Sequence, residues 1–161
     1  MLLRHVILSV LTLAAGAVAC EPYLEAAPVT LVDPSLHISI CNENPSTLTL
    51  WVSVDVVNRY GDDPVTVESI EIVGSEYVSG EATLPAPAVV EPSKQVTVSC
   101  VNGFTMAAPP AGTTSSPASI KVTYRAGGAE RSVSMSAPLV RDTTFDNCQN
   151  VIGETTACHG E

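Results

Sequence analysis

The stretch that decides the fold is LTLWVSVDVVN, residues 48–58. Every second side chain in it is apolar, while Trp51 and Asp55 belong to the alternate, more polar set. The apolar set is Leu48, Leu50, Val52, Val54 and Val56. This period of two predicts a β-strand with one face in a core, and it places Trp51 on the opposite face.

The same pattern extends to both sides of this strand. Residues 59–64 contain Gly, Asp and Pro and predict a turn. Residues 65–73 predict a second strand, and its inward set changes phase after Val67, which indicates a β-bulge. Residues 126–129, with the sequence AGGA, predict a hairpin turn. Other strands are expected at residues 36–41, 95–101, 119–125 and 131–136, with lesser candidates at residues 29–32 and near Tyr77.

About seven short strands and no helical stripe predict an all-β fold, namely an immunoglobulin-like two-sheet antiparallel sandwich. We expect the sandwich to occupy residues 29–140. An acidic tail closed by a disulfide is predicted for residues 141–161.

The first residues have the layout of a signal peptide. Arg4 and His5 precede an apolar run, which ends in small residues before Cys20. We therefore expect residues 1–19 to be removed and residues 20–28 to form a tether. The run of about ten apolar residues is shorter than the roughly 20 that a transmembrane helix needs.

Residues 17–19 followed by Cys20 resemble the lipobox of bacterial lipoproteins. The resemblance implies a diacylglycerol on the Cys20 thiol and hence a membrane anchor. Glu21 resembles the sorting pattern of outer-membrane lipoproteins, so the expected location is the cell envelope. The open alternative is a secreted protein that begins with an unmodified Cys20.

The chain has five cysteines. If Cys20 carries lipid, the other four can form two disulfides, which suits an oxidising compartment. Among the three possible connectivities, we favour Cys41 with Cys100 and Cys148 with Cys158.

Part of the sandwich resembles a known family. The resemblance covers roughly residues 48–138 and implies the abnormal-spindle/hydin type of immunoglobulin-like domain, a spacer or interaction module of bacterial surface proteins without catalytic residues. The matching residues are Val56, Val57, Asn58, Gly61, Pro64, Val65, Thr66, Val67, Ile70, Ile72, Gly74, Glu91, Pro92, Ser93, Val96, Thr97 and Val98.

Charge and motif content argue against several functions. With Lys+Arg 7 against Asp+Glu 17 and a net charge of −10, the chain lacks the basic clusters that nucleic acid requires. Beyond the leader only His37 and His159 could act as bases, and no catalytic motif is present, so we expect no enzyme and no cofactor.

A binding or scaffolding module for a protein or glycan partner is the function that remains. Candidate contact residues are Trp51 on its strand, and Phe104 and Met106 in a long loop predicted at residues 104–117. The alternative is a periplasmic or secreted protein that binds a metal or small ligand through acidic residues of the tail, such as Asp142 and Asp146.

Overall fold

The computed structural model describes residues 27–41, 47–59, 62–142 and 157–161. These residues form β-strands joined by turns, and none of them is helical. No helix that could span a membrane occurs in this part of the chain. The strands are β1 (Val29–Ile40), β2 (Leu48–Asn58), β3 (Val65–Val73), β4 (Val78–Val90), β5 (Gln95–Val101), β6 (Thr105–Met106), β7 (Ser115–Ser116), β8 (Ser119–Ala126), β9 (Ala129–Ser136), β10 (Leu139–Arg141) and β11 (Ala157–Gly160).

The strands form two sheets. The order is β11-β5-β2-β1-β10-β7 in the first sheet and β6-β4-β3-β8-β9 in the second. All neighbours are antiparallel except β1 and β10, which run parallel. β2 and β5 share one sheet while β3 and β8 share the other, as the B, E and C, F strands do in immunoglobulin domains. The predicted all-β, immunoglobulin-like sandwich is confirmed, and its seven longest strands match the expected number.

The core lies between the two sheets and is built from alternate side chains of facing strands. Each fully buried aliphatic side chain adds about 1.5–3 kcal/mol to the free energy of unfolding, relative to the same side chain left exposed. Burial also raises the pKa of the Tyr124 phenol, an effect that the nearby charge of Arg131 partly opposes. From β2 the buried side chains are Leu50, Val52, Val54 and Val56, and from β8 they are Ile120, Val122 and Tyr124.

Two bulges explain where the alternation changes phase. In β1 the register shifts between Val32 and Ser35, where Asp33 has a φ of 47°. The two strands predicted at residues 29–32 and 36–41 are therefore one bent strand. In β3 the register shifts between Val67 and Ser69, which confirms the predicted bulge.

The predicted hairpin joins β8 to β9. Ala126 pairs with Ala129, and the two residues between them, Gly127 and Gly128, have φ values of 56° and 80°. Positive φ at both central positions is the requirement of a type I′ turn, whose twist matches that of the flanking strands.

The disulfide pairing differs from the prediction. Cys100 in β5 lies directly opposite Cys158 in β11, with 4.1 Å between their Cα atoms, and the two residues form a disulfide. The predicted pairs Cys41–Cys100 and Cys148–Cys158 are therefore wrong. The physical reason is that the chain returns as a strand beside β5 and so places Cys158 directly opposite Cys100, whereas Cys41 follows β1, which β2 separates from β5 in the same sheet. Cys41 is also disulfide-bonded, whereas Cys148 lies outside the described residues.

β11 completes one edge of the first sheet. Glu161 and Thr97 exchange two backbone hydrogen bonds, of 2.9 and 3.0 Å. Gly160 passes so close to Ala88 of β4 that a Cβ atom would collide with the Ala88 side chain, and it would also crowd Val96 of β5. The last residues of the predicted acidic tail thus form an edge strand of the sandwich, in which Cys158 is buried.

Candidate functional site

Trp51 lies on the outer face of the first sheet. Its strand, β2, is central there, and its neighbours across the sheet are His37 in β1 and Val101 in β5. The residues before and after Trp51 are buried, so the strand itself is held rigidly by the core. The Trp51 side chain is 41% exposed, which makes it one of three large exposed apolar side chains among the described residues.

Hydroxyl and carboxyl groups continue the same face along β2 and β5. The Ser99 hydroxyl lies 3.4 Å from that of Ser53, its cross-strand neighbour. One row further on, the Asp55 carboxylate accepts hydrogen bonds from the Thr97 hydroxyl at 2.6 Å and the Gln95 amide at 3.3 Å. These bonds order the polar side chains beside Trp51, so the face has one aromatic centre and a fixed polar surround.

His37 borders Trp51 on the side of β1. It points outward, and its Nδ1 atom lies 3.1 Å from Oδ1 of Asp142. Asp142 follows β10, and its backbone N–H donates to the carbonyl of Ile38 at 3.0 Å. This arrangement gives both polar side chains a fixed position at the rim of the Trp51 surface, the name used here for Trp51, His37, Val101, Ser53 and Ser99.

Phe104 and Met106 do not extend this surface. The sequence placed both in an exposed loop, but Phe104 is buried in the core and Met106 is half-buried against it. Met106 belongs to β6, which pairs with Val78 at the start of β4. The expectation of exposed contact residues is corrected by this burial, because both apolar side chains pack on the core.

A second feature, an open groove on the outer face of the second sheet, was not anticipated from the sequence. It has a volume of about 500 Å³ and lies where the bulge in β3 interrupts the ladder. The predicted phase change after Val67 was the only sequence signal for it. The groove is lined by Glu68, Ser69, Glu81, Thr83, Leu84, Pro87, Lys121, Thr123 and Glu130.

Ion pairs between neighbouring strands order the groove. Lys121 lies 2.7 Å from Glu71, and this hydrogen bond and charge raise the pKa of the lysine. Glu68 lies 3.0 Å from Arg125 and raises the guanidinium pKa in the same way. Ser69 donates to the Glu81 carboxylate. Because the lysine and arginine are solvent-exposed, screening makes their contribution to stability small.

The described residues provide no site for the alternative function, metal binding by acidic residues. Within residues 27–41, 47–59, 62–142 and 157–161, no group of three or more His, Cys, Asp or Glu could hold a metal ion. Asp142 contacts His37, while Asp146 lies outside this part of the chain, as does the predicted lipidation site Cys20.

Fold and site together define a disulfide-bonded β-sandwich with an exposed aromatic residue on one outer sheet face. No protein-family model matches the chain, and neither does any curated protein. The resemblance to the abnormal-spindle/hydin type therefore stays a prediction.

Proposed function

We propose that this chain is an exported, lipid-anchored binding module that contacts a protein or glycan partner through the Trp51 surface. The observation that carries the proposal is Trp51 itself, a large aromatic side chain left exposed on a rigid strand. Tryptophan is enriched among the residues that dominate binding energy, because it buries a large apolar area at little conformational cost. The ordered polar side chains around it resemble the rim of such a contact.

The groove on the second sheet is the weaker candidate for the same role. Small-molecule sites are mostly concave, apolar pockets with a few polar groups. The groove has the reverse character, since carboxylates, hydroxyls and Lys121 line most of it. Lys121 and Glu68 are already paired with Glu71 and Arg125 beside the groove, so a ligand would have to compete with existing ion pairs.

Export and anchoring are supported by two independent features. The leader and Cys20 resemble a lipobox, and the Cys100–Cys158 disulfide suits an oxidising compartment. An acyl anchor would hold the sandwich at the membrane by a tether of a few residues, leaving the Trp51 surface free to meet a partner.

The anchor predicts a specific mass for the chain made in its own host. We expect cleavage before Cys20 and a diacylglyceryl adduct on its thiol, and we expect a Cys20→Ser variant to leave the membrane fraction. Intact-mass spectrometry with fractionation checks both expectations. An unmodified Cys20, or a variant that remains in the membrane fraction, would contradict the lipid anchor.

Loss of the Trp51 side chain should weaken partner binding with little effect on folding. We expect Trp51→Thr to reduce affinity by roughly 30-fold, which corresponds to the ~2 kcal/mol typical of a dominant contact residue. Threonine keeps the preference for a strand. Val89→Thr is the matched control, because Val89 is also exposed but lies on the other sheet.

Trp51 also provides the readout, because it is the only tryptophan of the chain. A deproteinised glycan fraction from the host envelope contributes no tryptophan fluorescence. If the partner is a glycan, this fraction should protect Trp51 from acrylamide quenching, in the wild type and in Val89→Thr alike. Unchanged quenching would reject the glycan and leave a protein partner. A partner of either class that binds Trp51→Thr as tightly as the wild type would refute the proposed surface.

A further inference from the structure

The edges of the two sheets differ greatly in length. Exposed strand edges invite pairing with other chains, and proteins commonly limit this by making edge strands short. In the described part of the chain, the edge strands β6 and β7 have two residues each and β11 has four. β9, at the edge of the second sheet, has eight residues, and all but Val133 are exposed.

The hydrogen-bond phase of the hairpin shows which backbone groups of β9 face outward. The tight turn makes Ala126 and Ala129 a hydrogen-bonded pair, and bonded and non-bonded pairs alternate along an antiparallel ladder. At the other end of the β8–β9 ladder, the Ala137 N–H donates to the Ala118 carbonyl at 3.0 Å, as the same alternation of bonded and non-bonded pairs requires. The residues in the non-bonded positions direct their N–H and C=O groups away from β8, and no described strand pairs with them. They are Glu130, Ser132, Ser134 and Ser136.

We propose that β9 is a homodimer edge, at which β9 of a second copy pairs antiparallel about a two-fold axis at Val133. The two five-stranded sheets then form one continuous sheet. In this register the four outward-facing residues of each copy lie opposite one another and can exchange backbone bonds along the whole strand.

Side-chain complementarity favours a second copy as the occupant. With the axis at Val133, Ser132 faces Ser134 of the second copy and Glu130 faces Ser136 of the second copy. Arg131 faces Met135 of the second copy, so no like charges oppose each other across the interface. The pairing also covers Met135, which is 36% exposed in the single chain and ranks among its three exposed large apolar side chains.

β9 also lacks most of the features that protect natural edges. It contains no proline and no lysine, and it pairs with β8 over its full length without a register shift. Its one inward-phase charge is Arg131, opposite Tyr124 in β8. In the proposed register the aliphatic part of Arg131 lies along Met135 of the second copy.

Sedimentation velocity of the purified full chain over a range of concentrations tests the proposal. We expect a monomer–dimer equilibrium. Met135→Lys would place a lysine opposite Arg131 twice per dimer and should weaken dimerisation roughly tenfold. Met135→Glu would create opposite charges at both places, so its dimer should be at least as tight as that of the wild type.

These two substitutions form a matched pair, because both replace the same exposed thioether with a charged chain. We expect the Met135→Glu dimer to be tighter than the Met135→Lys dimer. Net charge alone would give the opposite order of affinities, since the lysine makes an acidic chain less negative and the glutamate makes it more negative. Repulsion between acidic monomers alone would therefore favour the Met135→Lys dimer.

Ser134→Pro provides a second, independent variant. It removes an N–H that points away from β8, so the hairpin can retain its own ladder while the dimer loses a central bond. We expect a folded monomer. A wild-type chain that stays monomeric at all concentrations overturns the proposal and leaves the edge to a strand of another protein. Equal effects of lysine and glutamate at residue 135, or an unchanged dimer in Ser134→Pro, overturn it as well.

Discussion

Replacing both Cys100 and Cys158 with alanine is expected to lower the free energy of unfolding by about 4 kcal/mol. The disulfide joins residues separated by 58 positions, and closing a loop of that length removes much of the freedom of the unfolded chain. The bond also holds the four residues of β11 against β5. We expect unfolding in guanidinium to show a lower midpoint, and the C-terminal strand to lose its protection from hydrogen exchange.

The single variants serve as controls for this prediction. Cys100→Ala and Cys158→Ala each break the same bond, so each should cost about as much as the double substitution once the remaining thiol is blocked. A peptide map of the unreduced protein checks the pairing directly. A cross-linked peptide that joins Cys41 to Cys100, or a double variant with an unchanged midpoint, would contradict the structure.

Replacing Asn58 with alanine should cost about 3 kcal/mol, because it leaves two carbonyl groups without their donor. Asn58 ends β2 and is fully buried. Its amide nitrogen donates to the carbonyls of Asp63 and Val90, at 2.9 and 3.1 Å, and so ties the turn after β2 to the end of β4. Urea unfolding of wild type and variant measures the loss.

Asn58→Asp tests the role of the two donated bonds. Aspartate has nearly the same shape as asparagine, but its ionised form donates no hydrogen bond. We expect Asn58→Asp to be at least as destabilising as Asn58→Ala at neutral pH, with partial recovery in acid, where the protonated carboxyl can donate once. An Asn58→Asp variant as stable as the wild type would show that the donated bonds contribute little.

Where apolar and polar residues alternate regularly, the sequence was sufficient to predict the strands. β2, β3 and β5 begin and end at the predicted residues, because one apolar face and one polar face allow a single register between two sheets. The hairpin followed from two adjacent glycines, which a type I′ turn favours. Even the bulge in β3 was visible as a change in phase.

Elements that depend on tertiary contacts could not be predicted in this way. β4 was indicated only near Tyr77, because Gly80, Pro85 and Pro87 interrupt its pattern. β11 exists because the chain returns to the open edge of β5, and no local pattern in four residues indicates that return. The disulfide prediction failed for the same reason, since the pairing of Cys100 with Cys158 depends on the return of β11 to β5.

The same distinction between local pattern and tertiary contacts applies to the candidate site. Strand phase was enough to place Trp51 on an outer face, because alternation fixes the direction of every side chain in a paired strand. Its exposure depends on what the rest of the chain covers, which phase alone does not determine. The loop residue Phe104 had no strand phase to orient it, and its large apolar side chain is buried in the core.

The most direct test of the proposed function is site-specific photo-crosslinking in the living host. A benzophenone amino acid at residue 51 keeps an aromatic group at the centre of the proposed surface, and the same group at residue 89 controls for exposure on the other sheet. We predict a discrete adduct with one protein or glycan from residue 51 and none from residue 89. No adduct from residue 51, or the same products from both positions, would contradict a binding role for the Trp51 surface.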